Sequence, residues 1–268
     1  MKILSWNVNG LRAIYKKGFW EWFEKINPDI LCLQETKIQD EQLSFDLVRL
    51  KNYSSFFNSA SKKGYSGVGV FSNKSPLVVK RKLGLKRFDD EGRFLELKYP
   101  DFTLINLYLP HGGRQKENLA YKLKVYDYLL KYLQKIKNSK LILIGDFNIA
   151  HQEIDLARPK QNKNNIMFTL KEREQIDRLI DLGFTDSFRK FYKEGGHYTW
   201  WPYSRVKREN KVLRENRAGS YFVNFRERNL GWRIDYTFVS KNLSSKIKDA
   251  FILSQVQGSD HCPIGIEI

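Results

Sequence analysis

KLILIGDFN, from Lys140 to Asn148, runs four branched apolar residues into a Gly-Asp-Phe-Asn turn. A short apolar run closed by turn residues reads as a strand. Asp146 and Asn148 follow it, and at i and i+2 on an extended chain they point to one face. Such a pair can share one ligand. KILSWNV from Lys2 repeats the pattern, with Asn7 and Asn9 at the same spacing.

Outward from these two, further runs read as strands: ILCLQ from Ile30, GVGVFS from Gly67, FLELK from Phe94 and FTLINLYL from Phe102. HYTWW from His197, RIDYTFV from Arg233 and PIGIEI from Pro263 complete the series. Helical periodicity falls only between some of them. Between Gln115 and Lys137, Leu119, Leu123, Tyr126, Leu130 and Leu133 lie on one helix face. Leu11 to Ile26 predicts a second amphipathic helix, and Lys171 to Leu182 a third that ends at Gly183. Helices covering stacked sheets fit this order better than a bundle. No fixed-period repeat and no long linker divides the chain, so residues 1–268 are expected to form one domain.

The 268 residues are 41% hydrophobic, enough for a sizeable core and against disorder. Against 30 Asp and Glu stand 47 Lys and Arg, a net charge of +17 that attracts polyanions such as nucleic acid or an anionic surface. No apolar run approaches the roughly 18 residues of a membrane span, and no secretory signal opens the chain. Cys32 and Cys262 are too few for a disulfide framework or a zinc site; free thiols in a reducing, cytoplasmic compartment are expected. The charge is uneven. Ser187 to Asp235 carries a net +7 in 49 residues, and within it Arg205 to Gly219 (RVKRENKVLRENRAG) predicts a surface loop, partly helical.

Polar residues gather where strands end. Besides the two pairs above, Glu35 ends ILCLQ, Tyr108 ends LINLY, Asp235 sits in RIDY, and Asp260-His261 precede the last strand. Any one of them alone is explained by turn chemistry, by a neighbouring Lys in the case of Glu35, or by a satisfied core ring in the case of Tyr108. Their number is not. Several separate strand ends carrying acceptors point to one shared site held on rigid platforms. Oxygen ligands without a Cys/His cluster suit a hard cation, Mg²⁺ or Mn²⁺, rather than zinc. Phosphate chemistry follows: the cation polarises a phosphoryl oxygen, while an Asp-oriented His and Asn or Tyr donors meet the developing charge.

SWNVNGLRA from Ser5, LCLQETK from Leu31, GYSGVGV from Gly64, LYLPHGGR from Leu107, GDFNIAHQEIDLARPK from Gly145, YTWW from Tyr198, GWRIDY from Gly231 and GSDHCPI from Gly258 resemble the exonuclease III family of apurinic/apyrimidinic (AP) endonucleases. The blocks stand in the family's order over nearly the whole chain. The resemblance implies an α/β fold, a four-layer α/β/β/α sandwich of two mixed sheets. It implies a Mg²⁺-dependent hydrolase that incises double-stranded DNA 5′ to abasic sites and cleans blocked 3′ ends.

Residue by residue, the resemblance makes Glu35 the principal metal ligand, with Asn7 and Asp260 nearby and Asp146, Asn148 and His261 within reach. Asp146 aligns or deprotonates the attacking water, Asn148 is a transition-state donor, Tyr108 contacts phosphate, and His261, oriented by Asp235, faces the scissile phosphate. Asn9 stands where some relatives carry Asp. Arg12, Tyr65, Arg114, Asn162 and Asn165 match DNA-facing positions; Trp200, Trp232 and Ile234 match a pocket for an extruded deoxyribose, though core packing explains the rings equally. Arg205 to Gly219 makes the connection between YTWW and GWRIDY longer than expected. A monomer with no membrane partner is expected. Two rivals share the fold, a phosphoesterase acting on phosphoinositides and a catalytically dead DNA-binding module. The basic residues throughout and the intact polar set weigh against both.

Overall fold

A computed structural model describes residues 1–43, 52–202, 204–206 and 221–268. In chain order its first half runs β1 (Lys2–Asn7), α1 (Leu11–Tyr15), α2 (Phe19–Ile26), β2 (Ile30–Gln34), β3 (Ser54–Asn58), β4 (Val68–Ser72), β5 (Val78–Lys80), α3 (Lys86–Asp90), β6 (Phe94–Lys98) and β7 (Thr103–Tyr108). The second half runs α4 (Leu119–Ile136), β8 (Leu141–Asp146), α5 (Leu170–Asp181), β9 (Phe184–Asp186), α6 (Ser187–Phe191), β10 (Ser204–Val206), β11 (Tyr221–Val223), β12 (Asp235–Ser240), α7 (Lys241–Ser244), β13 (Asp249–Ile252) and β14 (Ile264–Glu267).

Two six-stranded sheets form, in the orders β13-β14-β1-β2-β4-β3 and β5-β6-β7-β8-β12-β9. Each is mixed: β1 and β2 are parallel in the first, β7 and β8 in the second, and the remaining pairs are antiparallel. Ile3, Ile30, Cys32, Val68 and Val70 of one sheet pack on Leu95, Leu97, Leu104, Ile142 and Ile144 of the other. Leu11, Ile14, Phe19 and Phe23 cover the first sheet's outer face, and Val125, Tyr126, Leu129, Ile176 and Leu179 cover the second's. The layers are therefore α/β/β/α.

A polar clamp crosses the apolar interior between the sheets. Gln34 Nε2 donates to Asn106 Oδ1 at 2.7 Å and to Ser5 Oγ at 2.9 Å, while Asn106 Nδ2 donates to the carbonyls of Leu33 and Gly69. A buried donor without a partner costs about 1–3 kcal/mol, so these bonds allow essentially one sliding position between the sheets. That position brings the ends of β1 and β2 against those of β7 and β8.

Four expectations need correction. HYTWW is no strand: Trp200 makes isolated bridges to Trp232 and His261, because the segment crosses the sheet end rather than extending it. Leu11 to Ile26 is two helices, split where Gly18 adopts φ +82°, a conformation that ends one turn before the next begins. The buried face of α4 keeps Tyr126, Leu130 and Leu133 of the one expected but extends to Lys122, Val125 and Leu129, while Leu119 and Leu123 are only half-buried. Glu172 draws Lys122 inward, at 2.6 Å. RIDYTFV begins its strand at Asp235, not Arg233, and β3, β5, β9 and β13 are short strands without a strong apolar run. Ser204–Val206 pairs with Tyr221–Val223 as an antiparallel ladder, and residues 207–219 of the basic stretch lie outside the described residues. Both cysteines are buried free thiols.

Candidate active site

The two sheets end in the same local structure. In β1 the Asn9 N–H donates to Asn7 Oδ1 at 3.1 Å, and in β8 the Asn148 N–H donates to Asp146 Oδ1 at 2.8 Å. Asn9 has φ +48° and Asn148 φ +53°. Each is an Asx turn closed by a residue that tolerates the left-handed region. The i, i+2 pairs thus do not share a strand face as the extended-chain reading held. The strands stop at Asn7 and Asp146, and the turn brings the second residue's N–H back onto the first residue's side chain.

These twin turns meet. Asn7 Nδ2 donates to Asp146 Oδ2 at 2.9 Å and to Glu35 Oε1 at 3.2 Å, joining the sheets through one amide. Glu35, itself at φ +50°, also accepts from the Tyr108 hydroxyl at 2.6 Å and pairs with Lys37 at 2.9 Å. Both explanations of Glu35 hold at once: it has a Lys partner and it belongs to the cluster. Burial pushes its carboxyl up, but Lys37, Tyr108 and Asn7 outweigh that and hold it below the usual range. Burial first, and then Glu35, push the Tyr108 phenol well above its ordinary value.

On the other side of Asp146, β8 and β12 place Asp146 directly across from Asp235. Asp235 Oδ2 lies 2.9 Å from His261 Nδ1, and His261 Nε2 lies 3.9 Å from Asp146 Oδ2. All three are buried. Burial and the facing Asp235 carboxylate raise Asp146, to about 7, against the pull of His261. Burial depresses the His261 imidazole, but Asp235 and the neighbouring carboxylates more than offset it and raise it to about 10. Asp146 is thus poised to accept a proton near neutrality, next to an imidazolium.

Asp260 is joined to this group through Asn9, which donates to its Oδ1 at 3.0 Å and whose own Oδ1 takes Lys37. Its Oδ2 accepts from Trp200 Nε1 at 3.1 Å. His261, Asn9 and Trp200 overcome the effect of burial and keep Asp260 in its charged form. Ser259 Oγ ties this loop to the Asn7 carbonyl at 2.8 Å.

Asp146, Asp235 and His261 each offer a ligand atom within 4.8 Å of the others, and Asp235 Oδ1 is buried without a hydrogen-bond partner among the described residues. A desolvated carboxylate oxygen of this kind is what water or a hard cation satisfies. The surrounding donors are mainly oxygen: Glu35, Asn7 Oδ1, Asp146 and Asp260. The set fits an oxygen-preferring divalent ion.

Trp232 and Ile234 join Ala150, Leu156, Ile166, Met167 and Phe168 in an apolar wall, with Trp200 half-buried against it and 6.4 Å from the His261 ring. The three expected pocket residues are therefore together and beside the charged cluster. Phe168, edge-on to Trp232, belongs there too. Its signal, IMF between an Asn-rich turn and a helix cap, was present in the sequence.

Arg12, Arg114 and Asn165 are exposed, Tyr65 is 37% exposed, and Asn162 is half-buried and accepts from Asn165 at 3.0 Å. They rim the molecule without touching the cluster in any hydrogen bond among the described residues. Arg93, which the sequence reading missed, lies under the rim. Its guanidinium stacks 4.3 Å over Tyr108 and donates to the Tyr65 hydroxyl at 3.0 Å.

The model of the endonuclease/exonuclease/phosphatase family matches residues 4–261. An exodeoxyribonuclease of Bacillus subtilis is 43% identical, covering 100% of this chain and 99% of that protein. A DNA-(apurinic or apyrimidinic site) endonuclease of Dictyostelium discoideum is 41% identical, covering 100% of this chain and 70% of that one. Among solved structures, a 3′ phosphatase from Neisseria bound to product DNA hairpin superposes with a TM-score of 0.85 at 27% identity, covering 100% of this chain and 98% of that one.

Proposed function

We propose, from the premise that this chain belongs to the endonuclease/exonuclease/phosphatase family, that it is a Mg²⁺-dependent DNA repair nuclease hydrolysing the phosphodiester 5′ to abasic sites in double-stranded DNA. The same site serves 3′-phosphodiesterase and 3′→5′ exonuclease chemistry. The observation that carries this reading is the Asn7 amide, which ties Glu35 to Asp146 while Asp146 faces His261. A cation-binding carboxylate, a base and an acid are thereby fixed around one small volume.

Glu35, with Asn7 and Asp260 beside it, would hold the divalent ion, Mg²⁺ or Mn²⁺, and Asp146, Asn148 and His261 lie within its reach. When bound, the ion supplies charge to a phosphoryl oxygen. Asp146 orients and deprotonates the attacking water, a role its raised pKa suits at neutral pH. The His261 imidazolium, held by Asp235, meets a non-bridging oxygen as negative charge builds. The Asn148 amide and the Tyr108 phenol, kept protonated by burial and Glu35, add neutral donors. Trp200, Trp232 and Ile234, with Phe168, receive the base-free sugar, which leaves the stack at little cost because it has no pairing or stacking to lose. Arg12, Tyr65, Arg114, Asn162 and Asn165 contact the flanking strands. Residues 1–268 act as one domain and one monomer on intracellular DNA, and no helix among the described residues is long and apolar enough to cross a membrane.

The deciding assay uses a duplex with a central tetrahydrofuran, an abasic analogue, in Mg²⁺ and in EDTA, reading both binding and incision. Incision 5′ to the lesion in Mg²⁺ with binding retained in EDTA is expected. Binding without incision would leave a DNA-binding module. Absence of binding together with hydrolysis of phosphoinositide would move the activity to lipids.

A further inference from the structure

Directly behind Asn148 lies an ion pair that the proposed chemistry does not use. Lys122 and Glu172 have fully buried side chains and meet at 2.6 Å. The Lys122 ammonium spends its donors on three acceptors: Glu172 Oε1, the Asn148 carbonyl at 2.6 Å and the His111 carbonyl at 3.1 Å. Glu172 in turn accepts from the Met167 N–H at 3.0 Å and, through Oε2, from the Thr169 N–H and hydroxyl at 3.0 and 2.7 Å. One pair thus pins three loops: the one after β7, the Asx turn after β8, and the segment that brings Phe168 to the apolar wall.

A buried ion pair adds little net stability over apolar residues of the same volume, because desolvating both charges opposes their attraction. Its geometry is what it contributes. Asn148 stands in the left-handed region, and one N–H of its amide is committed to the Leu109 carbonyl at 2.9 Å. The direction of the rest of that amide is set by the backbone turn, and the turn's outer carbonyl is the atom Lys122 grips. We propose that Lys122, anchored by Glu172, is a positioning residue that fixes the Asn148 turn, and with it the donor that Asn148 offers the reacting phosphate. This rests on the reading of Asn148 as such a donor.

Two double variants isolate the Lys122–carbonyl bond, since both remove the charges together and strand neither: Lys122→Met/Glu172→Gln and Lys122→Gln/Glu172→Gln. They differ in whether a donor faces the Asn148 carbonyl and, beside it, the His111 carbonyl, so the Asn148 resonance is the readout specific to the first bond. On the tetrahydrofuran duplex at saturating Mg²⁺, the Met form is expected to lose at least about tenfold in kcat. The Gln form is expected to stay within about fivefold of wild type, and KM to stay within about threefold in both. The Asn148 amide resonance of the free protein should shift in the Met form and return toward wild type in the Gln form, while strand amides of β1 and β8 hold. Equal kcat and equal Asn148 resonances in the two variants would overturn the proposal. So would failure of both to fold, which would make the pair a stability element. If wild type itself incises no abasic duplex, the functional reading falls, and the Asn148 resonance still tests the bond by itself.

Discussion

Two buried charge clusters lie two residues apart on the segment that leads into β12, and they differ in balance. Arg233 donates to Asp155 at 2.7 Å and to Asp186 at 2.8 Å, and Arg189 adds a second bond to Asp155 at 2.5 Å. Two guanidinium groups face two carboxylates. At Asp235 the count changes: Asp235 and Asp146 share a single imidazole, with Glu35 one amide away. The same residue type responds in opposite directions. Burial acts on both Asp155 and Asp146, but the arginines hold Asp155 low, while Asp235 helps to drive Asp146 up. A neutralised cluster keeps its carboxylate low, and an unneutralised one drives its carboxyl up.

The largest effect should come from breaking the balanced cluster. Asp155→Ala removes the carboxylate that Arg189 and the buried Arg233 share, leaving Arg233 with Asp186 alone, and is expected to destabilise the fold by about 3 kcal/mol in denaturant titration. Asp146→Asn should do the reverse. A carboxyl whose folded pKa lies above its unfolded value loses stability as pH rises between the two, from about 4 to about 7. The amide cannot ionise, so its unfolding midpoint at pH 8 should match or exceed wild type. Turnover is expected to fall at least about a hundredfold in Asp146→Asn and in His261→Ala, with DNA binding largely intact, because the proposed function has both groups act on the transition state. A stability loss in Asp146→Asn comparable to that of Asp155→Ala would erase the contrast between the clusters.

Smaller changes sharpen it. The rate should rise with pH as Asp146 loses its proton, and Asp235→Asn should move that acid limb to lower pH, since it removes a facing negative charge. A profile of kcat/KM against pH, at saturating Mg²⁺ for both proteins, reads the shift. An unmoved limb would separate Asp235 from Asp146. Glu35→Ala should chiefly raise the Mg²⁺ concentration needed for half-maximal rate, by about tenfold or more, if it removes the proposed ligand and leaves the proposed base in place. An identical Mg²⁺ titration would take Glu35 out of the metal site.

The strand ends of this site were legible in sequence because apolar runs stop abruptly there. LILIG before Asp146 and ILCLQ before Glu35 mark a buried strand and its exit in a few residues. The balanced cluster was not. Asp155, Asp186, Arg189 and Arg233 sit in loops and short elements where charge normally faces water, and only the tertiary fold decides that Asp155 and Arg233 are buried and the other two half-buried. The burial of Lys122 was not legible for the same reason: its partner is fifty positions away. HYTWW read as a strand because aromatic residues favour sheets, yet only Trp200 makes bridges, and its indole N–H binds Asp260. Periodicity reports local exposure, and long-range ion pairs override it.

The smallest expected effect tests whether the charge contrast extends to the rim. Arg205 to Gly219 holds Arg205, Lys207, Arg208, Lys211, Arg214 and Arg217 against Glu209 and Glu215, a surplus with no counterpart inside the stretch. β10, which takes in Arg205 and Val206 at the start of the stretch, pairs with β11 beyond its end, and both lie between Trp200 and Trp232 in sequence, two residues assigned to the sugar pocket. If these cations reach phosphates flanking the lesion, replacing 205–219 with a short Gly-containing closure removes charges that bind DNA without catalysing. The plot of log K against log[salt] should then flatten by about 0.9 for each phosphate that is no longer neutralised. Turnover at saturating DNA should hardly change, because Asp146 ends β8, Glu35 follows β2 and His261 precedes β14, all outside this connection. A solvated charge run gives a different result, an unaltered slope, since exposed cations that meet no phosphate release no counterions on binding. A slope reduced together with kcat would mean that the stretch also supports the pocket wall at Trp200 and Trp232, and that the rim and the reactive cluster are one unit.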